Sequence, residues 1–466
     1  MRKIKILLWG SLFVLAITTW SSCQITHPYS TPENHLDLSF RGPETSLDTI
    51  TIASLPWTTI FTDTLLQSLI HEGLAANIDL KIAVERLTES KAHLRLQKSA
   101  YLPSLSSGIS VKEFQLPHSQ SFGNSRNNTQ YDLGLQSNWE IDIWGKLGSS
   151  KRAALAQLLA TDAAKKAVQT QLIADIASGY FQLLALDQEL LTTQKTAKNR
   201  ADDAAAIEML FENALLNGVS VVQSQANYYE AELEIPDIEQ RIKATEHQLC
   251  FLLGRNPESI ARQDLAQQDV TSDLKSGIPA QLLANRPDVQ MAELNFRAAF
   301  EETNVARTYF YPALTITAGG GFSNLGWSQW FSSQSLFGSI AGGLTQSIFN
   351  KGINKARLTA ALSRQQQALL HFEKTLLMAS LEVSNALFEY DTAQRKELTR
   401  KKQLEALTKA VDFNKELFLH HQNTNFTDVL TAEQNLLRAE LKNIDDQRQK
   451  LSAVVQLYRA LGGGWN

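Results

Sequence analysis

Polar and apolar positions alternate along residues 131–143, which read Tyr-Asp-Leu-Gly-Leu-Gln-Ser-Asn-Trp-Glu-Ile-Asp-Ile. Apart from Ser137 the odd positions are apolar, and the even ones are polar or glycine. A period of two predicts a strand with one apolar face. A weaker form of the pattern predicts strands over about 104–112, with Leu105, Ile109 and Val111 on one face, over 313–322, with Leu314, Ile316 and Phe322, and over 339–348, with Ile340, Leu344 and Ile348. A strand that crosses lipid needs ~9–11 such residues, one face to lipid and the other to a polar lumen. Leu135 would then face lipid and Gln136 the lumen. Aromatics gather at one end of each strand (Tyr101, Trp144, Tyr309 to Tyr311, Phe349), as they do at a membrane interface. Four strands do not close a barrel, and open edges are not tolerated in lipid. Either the sheet is soluble, with one wet face, or several chains supply strands to one barrel.

Outside the strands the helix breakers thin out. No proline lies between Pro117 and Pro236, or after Pro312. Between Gly148 and Gly254 only Gly179 and Gly218 occur, and between Gly352 and Gly462 there is none. With Ala, Leu, Gln, Glu and Lys in their place, helices are predicted over 149–216 and 353–422, each ~100 Å long at 1.5 Å per residue. Asn217-Gly218 and Asn423-Thr424-Asn425 are turn chemistry, so each long helix should double back, through 219–253 and 426–461. In the last segment Leu430, Leu437, Ile444, Leu451 and Tyr458 recur every seven residues, a coiled-coil seam. Pro236 should kink the first return helix.

The two halves repeat. Asp79-Leu80, Ala83, Leu87, Tyr101, Pro103 and Leu105 match Asp288-Val289, Ala292, Phe296, Phe310, Pro312 and Leu314 at one constant offset. Ala231-Glu232-Leu233 and Leu253-Gly254 match Ala439-Glu440-Leu441 and Leu461-Gly462. Each repeat reads helix, strand, strand, very long helix, return helix. The expected division is a leader over 1–22, an anchor and extended segment over 23–60, a first repeat over 61–254, a linker over 255–284, a second repeat over 285–462 and a tail over 463–466.

The leader is basic at Arg2, Lys3 and Lys5, apolar from Ile6 to Ile17, and ends in Ser21-Ser22-Cys23. The apolar run is too short to span a bilayer and reads as a secretory signal. The cysteine after two small residues resembles the lipid attachment site of bacterial lipoproteins.

Composition narrows the chemistry. With 43% hydrophobic and 20% charged residues the chain is not disordered, and its net charge of −4 makes it a poor partner for nucleic acid. The 2 cysteines, Cys23 and Cys250, are too few for a disulfide framework, and 4 Met leave little soft-sulfur ligation for copper or silver. The 9 His include no HExxH pair, and adjacent His420-His421 cannot share a helix face. Cys250 lies three residues from His247 beside Leu249, Phe251 and Leu252, which reads as a buried thiol rather than a nucleophile. Gly319-Gly320-Gly321 sits in a strand pattern, not ahead of a phosphate-binding helix. Arg286-Pro287-Asp288 reads as a helix start. No catalytic residue, cofactor or metal site is expected.

Four motifs recur in order: Ala100-Tyr101-Leu102-Pro103, Trp139-Glu140-Ile141-Asp142-Ile143-Trp144-Gly145, Asn285-Arg286-Pro287-Asp288 and Asn425-Phe426-Thr427-Asp428-Val429-Leu430. With their duplication over about residues 55–462, the chain resembles the TolC family of outer membrane efflux proteins, in the lipoprotein branch that includes OprM. The resemblance implies a mainly α protein with a transmembrane β part. Three identical chains, four strands each, would form one 12-stranded barrel above a coiled-coil periplasmic tunnel. It implies a homotrimer in outer membrane lipid, docked to a periplasmic adaptor protein and an inner-membrane pump of the resistance-nodulation-division type. The trimer would passively conduct drugs, toxic compounds or metal ions.

The same family places constricting carboxylates at the closed periplasmic tip. TolC has two aspartates three residues apart, and the matching positions here are Asp428 and Thr431. Asp428 also suits a helix N-terminus on its own account. The hairpin tips, Asn217, Gly218, Asn423 and Asn425, are the expected adaptor contacts, and Cys23 the lipid attachment site. The exit channel of a type I protein secretion system would share this architecture. A non-transporting coiled-coil scaffold of the envelope would have no use for a lipid-facing sheet.

Overall fold

The computed structural model describes residues 25–32, 55–115, 127–268, 285–420 and 425–465. Cys23 and Asn423 lie outside them, as do residues 269–284 of the expected linker. The elements run α1 Trp57–Ile60, α2 Thr64–Ala76, α3 Ile78–Ser99, β1 Ser104–Gln115, β2 Asn127–Ile141, α4 Lys146–Glu212, α5 Gly218–Leu252, α6 Pro287–Thr308, β3 Ala313–Asn324, β4 Leu336–Thr345, α7 Ile353–Leu419 and α8 Phe426–Ala460.

The duplication is metrical. α3 and α6 each have 22 residues, α4 and α7 each 67, α5 and α8 each 35. Both return helices are followed by a glycine in the left-handed region, Gly254 at φ 68° and Gly462 at φ 84°. A Cβ on Gly254 would stand 2.8 Å from the Ala76 carbonyl oxygen, so a side chain is excluded by space as well as by dihedral.

Two compact units draw on both repeats. The first comprises residues 1–34, 86–161 and 291–372 and holds the sheet. The strands are antiparallel in the order β1-β2-β3-β4, so β1 and β4 each have one unpaired edge. In the same unit residues 25–32 lie along α6. The His27 N–H donates to Asn304 Oδ1 at 3.1 Å, and Asn304 Nδ2 donates to the His27 carbonyl at 2.9 Å. The Tyr29 ring packs on Phe296 and Phe300. Arg152 donates twice to buried Glu301, at 2.6 and 3.0 Å, fastening α4 to α6.

The second unit comprises residues 35–85, 162–290 and 373–466. Its fully buried side chains include Leu66, Ile70, Ile173, Ile176, Tyr180, Leu183, Leu184, Ile238, Leu249 and Leu253. The buried Tyr180 hydroxyl donates to Asp63 at 2.6 Å, and Asp63 also caps α2 through the Leu65 N–H. Burial raises the Tyr180 hydroxyl well above the ordinary phenol range, with Asp63 adding to it. Arg286 is buried and donates to both Asp288 oxygens, to Glu382, and to the Ala460 carbonyl at 2.8 Å. The motif thus ties the start of α6 to the end of α8. Cys250 is a buried thiol.

Several boundaries fall away from the pattern-based ones for local reasons. α4 starts at Lys146 because the Asp142 carboxylate accepts from the Leu147 and Gly148 N–H groups, at 3.0 and 2.7 Å. It stops at Glu212 because Ala214 turns left-handed, φ 57°. Asn217-Gly218 therefore does not end α4: Asn217 caps α5 by accepting from the Ser220 N–H, and Gly218 is its first residue. α5 continues through Pro236. Of the α8 seam, Leu430, Ile444, Leu451 and Tyr458 are buried and Leu437 half-buried.

Candidate functional site

Residues paired across an antiparallel sheet share a face, so the register sorts every strand position. Ile109 pairs Leu133, which pairs Phe322, which pairs Leu336. Trp139 pairs Ile316, and Ile141 pairs Leu314, which pairs Leu344. All the alternating apolar residues thus fall on one face, including Leu135. They are open: Ile109 is 70% and Ile340 79% exposed. The opposite face carries Ser106, Gln136, Asn138, Thr315, Thr317 and Ser339, with glycines between them. Apolar surface of this extent, standing free on a four-stranded sheet with two open edges, marks a face that meets lipid or another chain.

Aromatic residues mark both ends of that face. Where strands meet helices, Trp144 Nε1 donates to the Pro312 carbonyl at 2.7 Å and its ring lies 5.3 Å from that of Tyr311. At the far end, which the sequence patterns did not flag, Trp327 and Trp330 pack on Tyr131 at 5.4 and 5.6 Å, and Phe331 on Phe322 at 5.7 Å. Thr26 comes close to Gly145 at the strand–helix boundary: a Cβ on that glycine would lie 3.2 Å from the Thr26 methyl.

The hairpin turns come together in the second unit. Ile207, Phe426 and Leu430 form a buried cluster, joined by Leu210, Leu216, Val221 and Phe418, so α4, α5, α7 and α8 all contribute. Asp428 is exposed on the first turn of α8 and accepts from the Asn425 N–H at 3.1 Å, the returning half of a capping box. Thr431 is exposed and donates back to the Thr427 carbonyl at 2.8 Å. Asn217 and Gly218 are exposed as well.

Beside this cluster lies a charge network that joins the two hairpins. Lys415 of α7 meets Glu433 of α8 at 2.6 Å and Asp203 of α4 at 3.6 Å. Burial raises the Glu433 carboxyl, Asp203 raises it further, and Lys415 works against both. Burial would lower the Lys415 ammonium, but Glu433 and Asp203 outweigh it and leave it raised. These three residues carry no sequence signal of their own. Lys, Asp and Glu are common on solvated helix faces, and Asp203 is over two hundred residues from its partners.

The outer membrane efflux protein model matches residues 69–255 and again 278–463. The chain belongs to the outer membrane efflux protein family. The two matched segments are the two structural repeats. Among efflux relatives, the solvent efflux pump outer membrane protein SrpC of Pseudomonas putida is 31% identical over 415 residues, 87% of each chain. The probable outer membrane lipoprotein SilC of Salmonella typhimurium is 26% identical over the whole of both chains. A solved membrane protein from Pseudomonas aeruginosa superposes with a TM-score of 0.88 at 26% identity, over 95% of this chain and 98% of that one. This efflux protein has the mainly α, TolC-like fold with a β sheet that the motifs imply.

Proposed function

We propose that three copies of this chain close one 12-stranded barrel in the outer membrane and form the exit duct of a tripartite efflux system. The observation that carries this is the sheet: one continuous apolar face, one polar face, and two unpaired edges. Closure by neighbouring copies is what satisfies those edges in lipid. Exposed Leu377, Leu381 and Phe388 of α7, spaced as a coiled-coil row, give the copies a second apolar surface to share. The duct conducts passively and makes or breaks no bonds. Energy comes from an inner-membrane pump of the resistance-nodulation-division type, reached through a periplasmic adaptor that docks at the hairpin tips, Asn217, Gly218, Asn423 and Asn425. Small molecules are the cargo, as the solvent efflux relative suggests.

Cys23 carries the lipid anchor in this reading. The first described residues after it support this, since Thr26 lies beside Gly145 at the strand–helix boundary. The periplasmic end is held by the Phe426–Leu430 cluster and the Lys415 network. Asp428 and Thr431 line the constriction, where three copies of Asp428 form a ring that favours cations. Purified protein added to planar bilayers should produce stepwise ion conductance. Protein that assembles and inserts without conducting is incompatible with a duct.

A further inference from the structure

The polar face of the sheet carries one feature at odds with its chemistry. Gly108, Gly134, Gly321 and Phe337 pair in a single row across all four strands. Phe337 therefore lies on the polar face. Apart from Phe114 at the far rim, it is the one large apolar side chain there among the described residues. Its ring does not stand up from β4. The Cζ atom comes within 3.7 Å of where a Cβ on Gly134 would sit, so the ring lies flat across β3 and reaches β2. Gly321 lies beneath it, and a Cβ there would collide with the Leu133 carbonyl of β2, so the two strands meet here through bare backbone. The ring is still 44% exposed, and it forms one wall of a concave trough of about 740 Å³. Around it stand short hydrogen-bonding side chains, Gln136, Thr317 and Ser339.

We propose that Phe337 and its glycine floor form a stacking site for planar aromatic cargo inside the barrel. The proposal rests on the duct reading above and adds a substrate class to it. A flat π face bounded by bare backbone accepts another flat ring without displacing any side chain, and aromatic pairs favour offset stacking. The polar side chains at the margin suit a ring with polar edges. A saturated or highly branched molecule of equal size gains less, because it presents no π face.

The competing role for Phe337 is structural: aromatic rings cover strand glycines to restore burial. Leucine at 337 separates the two, since it keeps apolar bulk over the glycines and removes the aromatic face. The probe is proflavine, a planar aromatic cation, titrated against detergent-solubilised full-length protein and followed by fluorescence anisotropy. Tetraethylammonium, of equal charge and without rings, serves as competitor. Wild type should bind proflavine saturably and resist the competitor. F337L should bind about ten-fold more weakly, the order expected for one lost stacking contact, and F337W should bind as wild type. Equal binding by wild type and F337L, or displacement by tetraethylammonium, overturns the site. Absence of conductance in the bilayer assay tells instead against the duct itself, so the two failures are distinct.

Discussion

Replacing Lys415 with methionine removes the cation that joins α7 to α8 and α4 and leaves two carboxylates facing each other. Lys415 sits 2.6 Å from Glu433 and 3.6 Å from Asp203, with side chains 40%, 16% and 30% exposed. Breaking a fully buried pair costs about 3–5 kcal/mol, because a charge is left uncompensated. Exposed pairs are worth ~1 kcal/mol or less. This network lies between those limits, so K415M should cost about 1–3 kcal/mol. If the contact exists only in the closed tip, that is roughly a 5- to 150-fold rise in open occupancy. The pH dependence has a definite sign. Glu433 is raised in the folded state, chiefly by burial, so the folded tip binds its proton more tightly than the unfolded chain does. Stability is then lost as pH rises through the folded value. Without Lys415 the raised state is accentuated, so the variant's deficit should be larger at pH 8 than at pH 5. Resting conductance in planar bilayers and thermal melting, both at the two pH values, read this directly. Glu433→Gln in the K415M background should recover much of the loss. Unchanged conductance at both pH values, or a deficit that grows on acidification, would refute this role for the Lys415 network.

Leu135→Asp puts a charge on the apolar face and should cost up to ~2 kcal/mol depending on depth, while Gln136→Asp on the polar face should be tolerated; yields of assembled protein by unheated gel compare them. Asp428→Ala should weaken cation selectivity and raise resting conductance; if instead only melting falls, by the ~1 kcal/mol of a lost cap, its role is confined to the capping bond with Asn425. Cys23→Ser should abolish radioactive palmitate labelling, and persistent labelling would remove the lipoprotein assignment.

Much of the helical frame was legible because it depends on what is missing. Long stretches without Pro or Gly can be read directly, and α4 and α7 follow them to within a few residues. The ends were displaced by bonds that no periodicity shows, such as Asp142 reaching forward to cap α4. β2 was read to its face because its alternation is dense. β4 slipped by three residues, to Leu336–Thr345, because Gly338, Gly342 and Gly343 interrupt its alternation. Ile348, expected on that strand, lies beyond it and is 98% exposed. The same glycines hid Phe337, whose face is fixed only by pairing with Gly321. Tip chemistry divided in the same way. Leu430 was visible as an apolar seam position, and Phe426 as the apolar residue of the motif that starts α8. The Lys415 network was not, because three ordinary surface residue types become a partly buried group only when the hairpins meet.

The mass of the detergent-solubilised protein, measured under native conditions, bears most directly on the claim that several copies close one barrel. Four strands with one exposed apolar side and two open edges require neighbours if that side meets lipid. The predicted result is a single species of three chains, unchanged on dilution. A stable monomer that retains its sheet would contradict the barrel, and with it the duct.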